Sequence, residues 1–188
     1  MGKAKAIAIV SGGLDSVTLA YDLQMREYDL TILSFDYGQR HVKELECAQL
    51  CADKLGAAFH RIDLSNIKPL LKGSALTDSI DVPEGHYEAA SMAQTIVPNR
   101  NAIMLSIAYA AAVSCGARVV GIGVHSGDHA VYPDCRPEFI QAFEHASRLA
   151  TDTAIKIYAP FLHSKKHHIV SIGSDLGVDF TQTWSCYK

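Results

Sequence analysis

The sequence has neither a large net charge nor a long uninterrupted apolar run, and each absence argues against a class of protein. Its formal charge at pH 7 is only -3, so composition gives no electrostatic reason to expect binding to a membrane surface or directly to nucleic acid. The longest apolar stretch, residues 102–113, is interrupted by Ser106 and is too short to span a bilayer. We therefore predict a buried helix there, and small molecules as the partners.

The chain also lacks a signal-peptide pattern before its first predicted strand, and its five cysteines are odd in number and scattered. Such cysteine usage is typical of a reducing compartment, so we predict a cytoplasmic location. Cys47 and Cys51 fall on or beside the apolar face of a predicted helix, where we expect them to act as small buried hydrophobes. Cys115 is likewise predicted to be structural.

The order of predicted elements indicates an α/β fold. Residues 6–10 are apolar on both faces, as in a central strand of a parallel sheet that helices cover on both sides. Alternating patterns then predict helix 17–25 with Asp15 or Ser16 near its N-cap, strand 30–35, helix 42–55, strand 59–64, helix 101–115, strand 118–124, helix 137–150, strand 155–159, and a helix capped by Ser164 that ends at Gly177. This order predicts a doubly wound, mostly parallel sheet with helices on both faces.

Regular periodicity fades between residues 65 and 98, where Pro, Gly, Ser and Asp accumulate. A segment of this kind is either a long functional loop or a lid with one or two short helices. We predict a lid or insertion at 65–98, within a single domain that spans residues 1–188.

The segment SGGLDS at residues 11–16 stands between the first predicted strand and the first helix. Ligands of open α/β sheets bind beyond the carboxyl ends of the strands. Gly12 and Gly13 allow the backbone to approach an anion closely, and the N–H groups at the helix start favour phosphate oxygens. Asp15 would repel a bare phosphate, so we predict that it binds a bridging Mg²⁺, with capping of the loop as the alternative. The interpretation without function is a sharp strand-to-helix turn.

These six residues resemble the SGGxDS signature of the PP-loop ATP pyrophosphatases, and the chain has no GxxxxGK[ST] sequence of the kinase or GTPase type. The resemblance implies a Rossmann-like fold of the adenine nucleotide alpha hydrolase type, which uses ATP and Mg²⁺ and splits ATP between its α- and β-phosphates. The residues that it implies for nucleotide binding are Val10, Ser11, Gly12, Gly13, Leu14, Asp15, Ser16, Val17, Thr18, Leu19 and Ala20.

Three further segments narrow this resemblance to one family. They are FDYGQRH at residues 35–41, VPNRN at 97–101 and YPDCR at 132–136. Together with the phosphate loop they resemble the QueC family of 7-cyano-7-deazaguanine synthases, in the right order across essentially the whole chain. The resemblance implies an ATP-dependent ligase that joins ammonia to 7-carboxy-7-deazaguanine and dehydrates the amide to a nitrile, by adenylation of the carboxylate and then of the amide. Its product would serve queuosine or other 7-deazaguanine biosynthesis.

Four residues are predicted to be catalytic: Asp15, Arg100, Arg136 and Lys166. Guanidinium groups bind phosphate and carboxylate bidentately, which suits Arg100 and Arg136 to positioning roles, with a surface ion pair as the alternative. The family carries a lysine where Lys166 stands, from which it could reach phosphate, although the next family position, usually acidic, is His168 in this chain.

Polar residues near strand ends and helix starts are predicted to contact the substrates: Asp36, Tyr37, Gln39, Arg40, His41, Asn101, Asp128, Tyr132 and Asp134. A structural role at a helix start is the alternative for His41. The family usually has glycine where Asn99 stands, and asparagine tolerates the left-handed conformation, so we expect the loop to persist. His125, Asp128 and His129 could suggest a metal site, but substrate contact is the favoured interpretation.

Cys186 has the Thr/Ser-Cys-Tyr context in which the family places the first of four zinc-binding thiolates. A structural zinc needs about four ligands, so Cys186 alone cannot make the site. The resemblance therefore implies that residues 179–188 begin a zinc-binding segment whose other cysteines are not in these 188 residues. A molecule without zinc is the alternative.

Other functions remain open from the sequence. Another PP-loop enzyme, a tRNA-base thiolase or an amide synthetase, would share the fold, although a thiolase would favour a basic surface and paired reactive cysteines. A non-catalytic nucleotide-binding module of the universal-stress type would place its glycine-rich contacts late in the chain.

The resemblance to the QueC family also implies a homodimer.

Overall fold

A computed structural model of the chain describes residues 2–37, 43–71 and 96–184. In chain order these residues form β1 (Lys5–Ile9), α1 (Leu14–Met25), β2 (Asp29–Asp36), α2 (Lys43–Leu55), β3 (Ala58–Asp63), α3 (Arg100–Cys115), β4 (Val119–Gly121), α4 (Pro137–Thr151), β5 (Lys156–Tyr158) and α5 (Lys166–Asp175). Short 3₁₀ turns occur at Ser65–Leu70, Ser126–Asp128, Pro133–Cys135 and Phe180–Gln182. None of the described helices is long and apolar enough to cross a membrane.

The strands form one sheet in the order β3-β2-β1-β4-β5, and every neighbouring pair is parallel. Ile7 of β1 lies opposite Thr31 on one side and Val120 on the other. The chain builds the sheet outward from β1 in one direction, then returns to add β4 on its other side. Parallel sheets of this kind open a crevice at that reversal, beyond the carboxyl ends of the two strands.

Helices cover both faces of the sheet, which confirms the predicted doubly wound α/β architecture. Ile7 and Ile9 belong to a core cluster that includes residues of α3 and α4. Ala6 and Ala8 belong to the other cluster, with residues of α1, α2 and α5. Because neighbouring side chains of a strand point to opposite faces, β1 must be apolar throughout to serve both clusters.

Helix α1 begins differently from the prediction. Its first residue is Leu14 rather than residue 17, and its N-cap is Gly13, with φ -76° and ψ 160°. Asp15 and Ser16 are near the N-cap, as predicted, but they lie inside the first turn. As a result the Asp15 carboxylate is available for contacts outside its own helix.

Two other boundaries were also predicted wrongly. β4 ends at Gly121 rather than at residue 124, and its neighbour β5 is also only three residues long. The N-cap of α5 is Lys165, not Ser164. The Ser164 carbonyl instead accepts hydrogen bonds from the Ser126 N–H at 3.1 Å and the Ser126 hydroxyl at 2.7 Å. This contact ties the chain before α5 to the loop that follows β4.

The cysteines divide into buried and exposed ones. Cys47 and Cys51 are buried, as predicted, and burial raises the pKa of the Cys51 thiol to about 12. Cys115 is exposed at the end of α3, so the prediction of a structural role was wrong.

The greater part of the predicted lid, 72–95, lies outside the described residues.

Candidate active site

A cavity of about 330 Å³ lies at the carboxyl ends of β1 and β4, where the strand order reverses. Its volume falls within the usual range for small-molecule sites. The residues around it come from the phosphate loop, the end of β2, the starts of α2, α3 and α5, and the segments after β4. They are Ile9, Val10, Ser11, Gly13, Asp15, Ser16, Phe35, Tyr37, Glu44, Arg100, Asn101, Met104, Ile122, Gly123, Val124, His125, Asp128, Tyr132, Cys135, Lys166 and Trp184.

Gly12 is required by the packing of the phosphate loop. Its φ is +91°, and a Cβ atom there would lie 2.0 Å from the backbone oxygen of Glu44 and 3.0 Å from the backbone nitrogen of Ala48. The first turns of α2 therefore press directly on the loop. Only glycine allows both this backbone conformation and this approach.

The two serines of the phosphate loop hold its turn together. The Ser11 N–H donates to the Ser16 hydroxyl at 3.2 Å, and the Ser16 hydroxyl donates to the Gly13 carbonyl at 3.0 Å. The Gly13 N–H points to the Ser11 hydroxyl at 3.4 Å. The resemblance implies that both serines contact the nucleotide, and in this structure their hydroxyls order the loop.

Asp15 forms the charged centre of the cavity. Its Oδ2 lies 3.2 Å from Lys166 Nζ and 3.8 Å from His125 Nε2. Its Oδ1 is buried and has no hydrogen-bond partner among the described residues. A buried carboxylate oxygen without a partner is costly unless a ligand satisfies it. Mg²⁺ commonly binds one or two carboxylates together with substrate phosphates, so Asp15 fits the predicted cation.

His125 lies beside this carboxylate. The sequence interpretation favoured substrate contact over metal binding for His125 but did not predict its place beside Asp15. His125 is 4% exposed, and its Nδ1 accepts a hydrogen bond from the Gly127 N–H at 3.0 Å. Its Nε2 lies 3.6 Å from Asp128 Oδ1, and the backbone N–H of His125 donates to Asp128 Oδ2 at 3.0 Å. The signal available in the sequence was its position just beyond β4.

Arg100 and Tyr37 are brought together on one side of the cavity. Nη1 of Arg100, the first residue of α3, donates to the Tyr37 hydroxyl at 3.4 Å. The guanidinium carbon lies 6.0 Å from the centre of the Tyr37 ring. Asn99, just before the helix, has φ 54° and ψ 26°, the left-handed conformation that asparagine was expected to tolerate.

Asp134 and Asn101 hydrogen-bond to each other beside the cavity. The Asn101 N–H donates to Asp134 Oδ2 at 2.9 Å, and its side-chain amide donates to the Asp134 carbonyl and to Cys135 Sγ, both at 3.2 Å. Asn101 and Tyr132 reach the cavity, whereas Asp134 is not among the residues around it. Burial, with the Asp128 and Asp134 carboxylates, raises the pKa of the Cys135 thiol.

Several predicted residues are not brought to the cavity. Arg136 is exposed, and its Nε donates to the His129 carbonyl at 2.9 Å. Asp36 forms an ion pair with Arg61 of β3. The predicted nucleotide contacts away from the cavity are Gly12, Leu14, Val17, Thr18, Leu19 and Ala20, the last four of which are buried in α1. Gln39, Arg40, His41 and Cys186 lie outside the described residues.

Trp184 and Glu44 are further cavity residues that the sequence interpretation missed. The backbone N–H of Trp184 donates to the Gly12 carbonyl at 3.0 Å, and Lys43 Nζ lies 4.0 Å from the centre of the Trp184 ring. Trp184 is the only tryptophan in the chain, and this was the available signal. The segment before Cys186 therefore docks on the phosphate loop.

Solved structures define the class of fold. NMN synthetase from Francisella tularensis matches with a TM-score of 0.61 at 18% identity, over 96% of this chain and 64% of that one. NH3-dependent NAD synthetase from Campylobacter jejuni matches with a TM-score of 0.59 at 15% identity, over 95% of this chain and 66% of that one. At such identities the likeness shows the fold alone, which is the PP-loop fold of the adenine nucleotide alpha hydrolases.

The sequence comparisons are more specific. The family model described as queuosine biosynthesis protein QueC matches residues 5–188. The 7-cyano-7-deazaguanine synthase 1 of Colwellia psychrerythraea is 50% identical over 184 residues, which cover 98% of this chain and 84% of that protein. The 7-cyano-7-deazaguanine synthase of Brucella anthropi is 51% identical over 186 residues, covering 98% and 80%. The chain belongs to the QueC family.

Proposed function

We propose that this protein is an ATP-dependent ligase that converts 7-carboxy-7-deazaguanine and ammonia to 7-cyano-7-deazaguanine in queuosine biosynthesis. Family membership over nearly the whole chain supports the substrate and product. One structural observation supports the ATP chemistry: among the described residues, one oxygen of Asp15 in the glycine loop has no hydrogen-bond partner, and Asp15 borders the cavity where the strand order reverses.

The reaction needs ATP because a carboxylate is a poor electrophile. The substrate carboxylate oxygen attacks the α-phosphorus, the bond to the bridging oxygen breaks, and pyrophosphate leaves. Ammonia then attacks the activated carbonyl carbon, which releases AMP and a proton and forms the amide. A second ATP activates the amide oxygen in the same way, with release of pyrophosphate, and loss of AMP and the two amide protons leaves the nitrile.

Charge in the cavity suits this transfer. Lys166 Nζ lies 3.2 Å from Asp15, and Arg100 lies at the start of α3, so two cationic groups border the cavity. Asp15 Oδ1 would hold Mg²⁺, which when bound neutralises phosphate charge and acts as a Lewis acid. Fixed cationic groups stabilise the charge that develops on phosphoryl oxygens in the transition state. Arg136 would act only if it left its contact with the His129 carbonyl.

The substrate ring would pack against Tyr37 and Tyr132, two buried aromatic residues that border the cavity. Their aromatic faces offer apolar contact to a flat heterocycle. Asn101 and Asp128 also border the cavity, but their side chains already hydrogen-bond within the protein. These two residues therefore support the site mainly by holding its shape.

The direct experiment measures product formation by purified protein with ATP and Mg²⁺. AMP and pyrophosphate should form only when 7-carboxy-7-deazaguanine and ammonium are both present, and mass spectrometry should detect the nitrile. Release of ADP, or ATP cleavage at the same rate with and without the deazaguanine substrate, would contradict the proposal.

The finer parts of the proposal concern assembly and zinc. The protein would act in the cytoplasm as a homodimer, with a single domain carrying a lid at 65–98. Cys186 would supply one zinc ligand, and the described residues contain no group of three or more His, Cys, Asp or Glu that could hold a metal ion. Metal analysis of protein that carries the further cysteines should find one zinc per chain; a metal-free but fully active protein would reject this part.

A further inference from the structure

The two oxygens of the Asp15 carboxylate have different surroundings. Oδ2 faces two nitrogens, Lys166 Nζ at 3.2 Å and His125 Nε2 at 3.8 Å, whereas buried Oδ1 faces no hydrogen-bond partner among residues 2–37, 43–71 and 96–184. The Lys166 side chain is 51% exposed and the His125 side chain only 6%. An exposed, flexible lysine orients a carboxylate weakly, so the buried ring is the more rigid neighbour.

The position of the imidazole is set by backbone groups on its other edge. Because the Gly127 N–H donates to Nδ1 at 3.0 Å, Nδ1 is an acceptor, and this assigns the ring proton to Nε2. A Cβ atom on Gly127 would lie 2.8 Å from His125 Cε1, so the glycine lets the ring lie this deep. The protonated Nε2 is thereby directed at the space between Asp15 and Asp128.

We infer that His125 is a positioning residue: its Nε2–H, held between the Asp15 and Asp128 carboxylates, keeps Asp15 Oδ2 facing Lys166 and the ring, which leaves Oδ1 for the Mg²⁺ that accompanies the nucleotide. The distances of 3.8 Å and 3.6 Å exceed hydrogen-bond length, so the contact acts through charge and dipole rather than a formed bond. Such attraction is stronger in a water-excluded site than at the surface. The inference rests on the proposed ATP site.

The test measures equilibrium binding of α,β-methylene ATP with and without Mg²⁺, by calorimetry and by the fluorescence of Trp184. His125→Asn keeps an acceptor for the Gly127 N–H but is too short to approach Asp15, whereas His125→Gln can place a donor near the former Nε2. We expect His125→Asn to weaken Mg²⁺-dependent binding about 10- to 100-fold and His125→Gln to weaken it less. The control is His60→Asn, an exposed histidine of β3, which should bind like the wild type.

Two results would overturn the inference. If His125→Asn bound the analogue with Mg²⁺ as tightly as the wild type does, the ring would be unnecessary. If its affinity fell equally with and without Mg²⁺, the ring would be merely structural. If His125→Asn does not fold, Gly127→Ala replaces it, because its Cβ displaces the ring without removing it, and the same selective loss is expected. Wild-type protein that neither binds the analogue nor forms AMP would refute the proposed function itself. An active wild type with unaffected His125 variants would refute only the positioning role.

Discussion

The loop after β1 and the loop after β4 face each other across one cavity but are built in different ways. Residues 11–16 are ordered by hydrogen bonds within the loop, between Ser11, Gly13 and Ser16. The loop after β4 depends on distant partners, such as Ser164, which is 38 residues from Ser126. A turn held by hydrogen bonds among neighbouring residues can be recognised from a short motif, even though α2 and Trp184 also contact it. The pairing of Ser126 with Ser164 depends on how the sheet brings distant segments together.

The sharpest test of this comparison removes Asp15, a side chain of the β1 loop that lies 3.8 Å from His125 in the loop after β4. Asp15→Ala should lower AMP-forming activity about 10³-fold, because it removes the proposed Mg²⁺ ligand and the partner of Lys166 and His125. The far-UV circular dichroism should remain unchanged, since Asp15 caps no helix.

Asp22→Asn is the matched control, because Asp22 lies on the same helix but bonds Tyr158 at 2.7 Å and Arg26 at 3.0 Å away from the cavity. This control should keep its activity. Near-normal turnover of Asp15→Ala would break the assignment of the β1 side as the phosphate site.

The next test concerns the backbone of the β1 loop. Gly12→Ala should destabilise the protein by about 2–4 kcal/mol, because its Cβ meets the Glu44 oxygen and its φ is positive. Gly56→Ala, also at positive φ but with nothing within 4 Å, should cost only about 1 kcal/mol. Urea unfolding measures both, and equal losses would mean that the contact with α2 is not what demands glycine.

On the β4 side, Asp134 is expected to matter for the start of α3 rather than for substrate contact. Asp134→Ala should cost about 1 kcal/mol of stability because the Asn101 N–H loses its acceptor, and Asp134→Asn should cost less. The KM for 7-carboxy-7-deazaguanine should change little in Asp134→Asn. A KM increase of tenfold or more, without a loss of stability, would restore Asp134 to the substrate-binding set.

The smallest effect is expected in the rate at which the cysteine thiols are alkylated. This rate distinguishes Cys135, a buried residue of the cavity, from Cys115, which is exposed. The thiolate is the reactive form, and burial raises the pKa of Cys135 and that of Cys51, the latter to about 12. At pH 8 both therefore remain protonated, and iodoacetamide should modify the exposed Cys115 first. Peptide mass spectrometry measures the order, and rapid labelling of Cys135 would show that the β4 side opens easily.

Much of this protein could be predicted from short-range sequence patterns. The apolar residues 6–10, the glycine turn and the helix periodicities predicted the α/β class and the phosphate-loop position, because strand and helix repeats are local properties of the chain. The predicted helix ends at residues 55 and 115 were also confirmed, and each is followed by a glycine with positive φ. The predicted cap at Ser164 was wrong, because its carbonyl bonds Ser126 and the helix begins one residue later.

The sequence by itself determined the fold class, the family and the place of the anion-binding turn, since each is written in contiguous residues. Only the tertiary structure decided that Lys166 and His125 meet at Asp15, that Arg136 and Asp36 turn to other partners, and that Asp134 serves a helix start. The physical reason is that a charged or polar side chain bonds whichever partner the packed sheet brings within about 3 Å, and sequence spacing does not specify that partner.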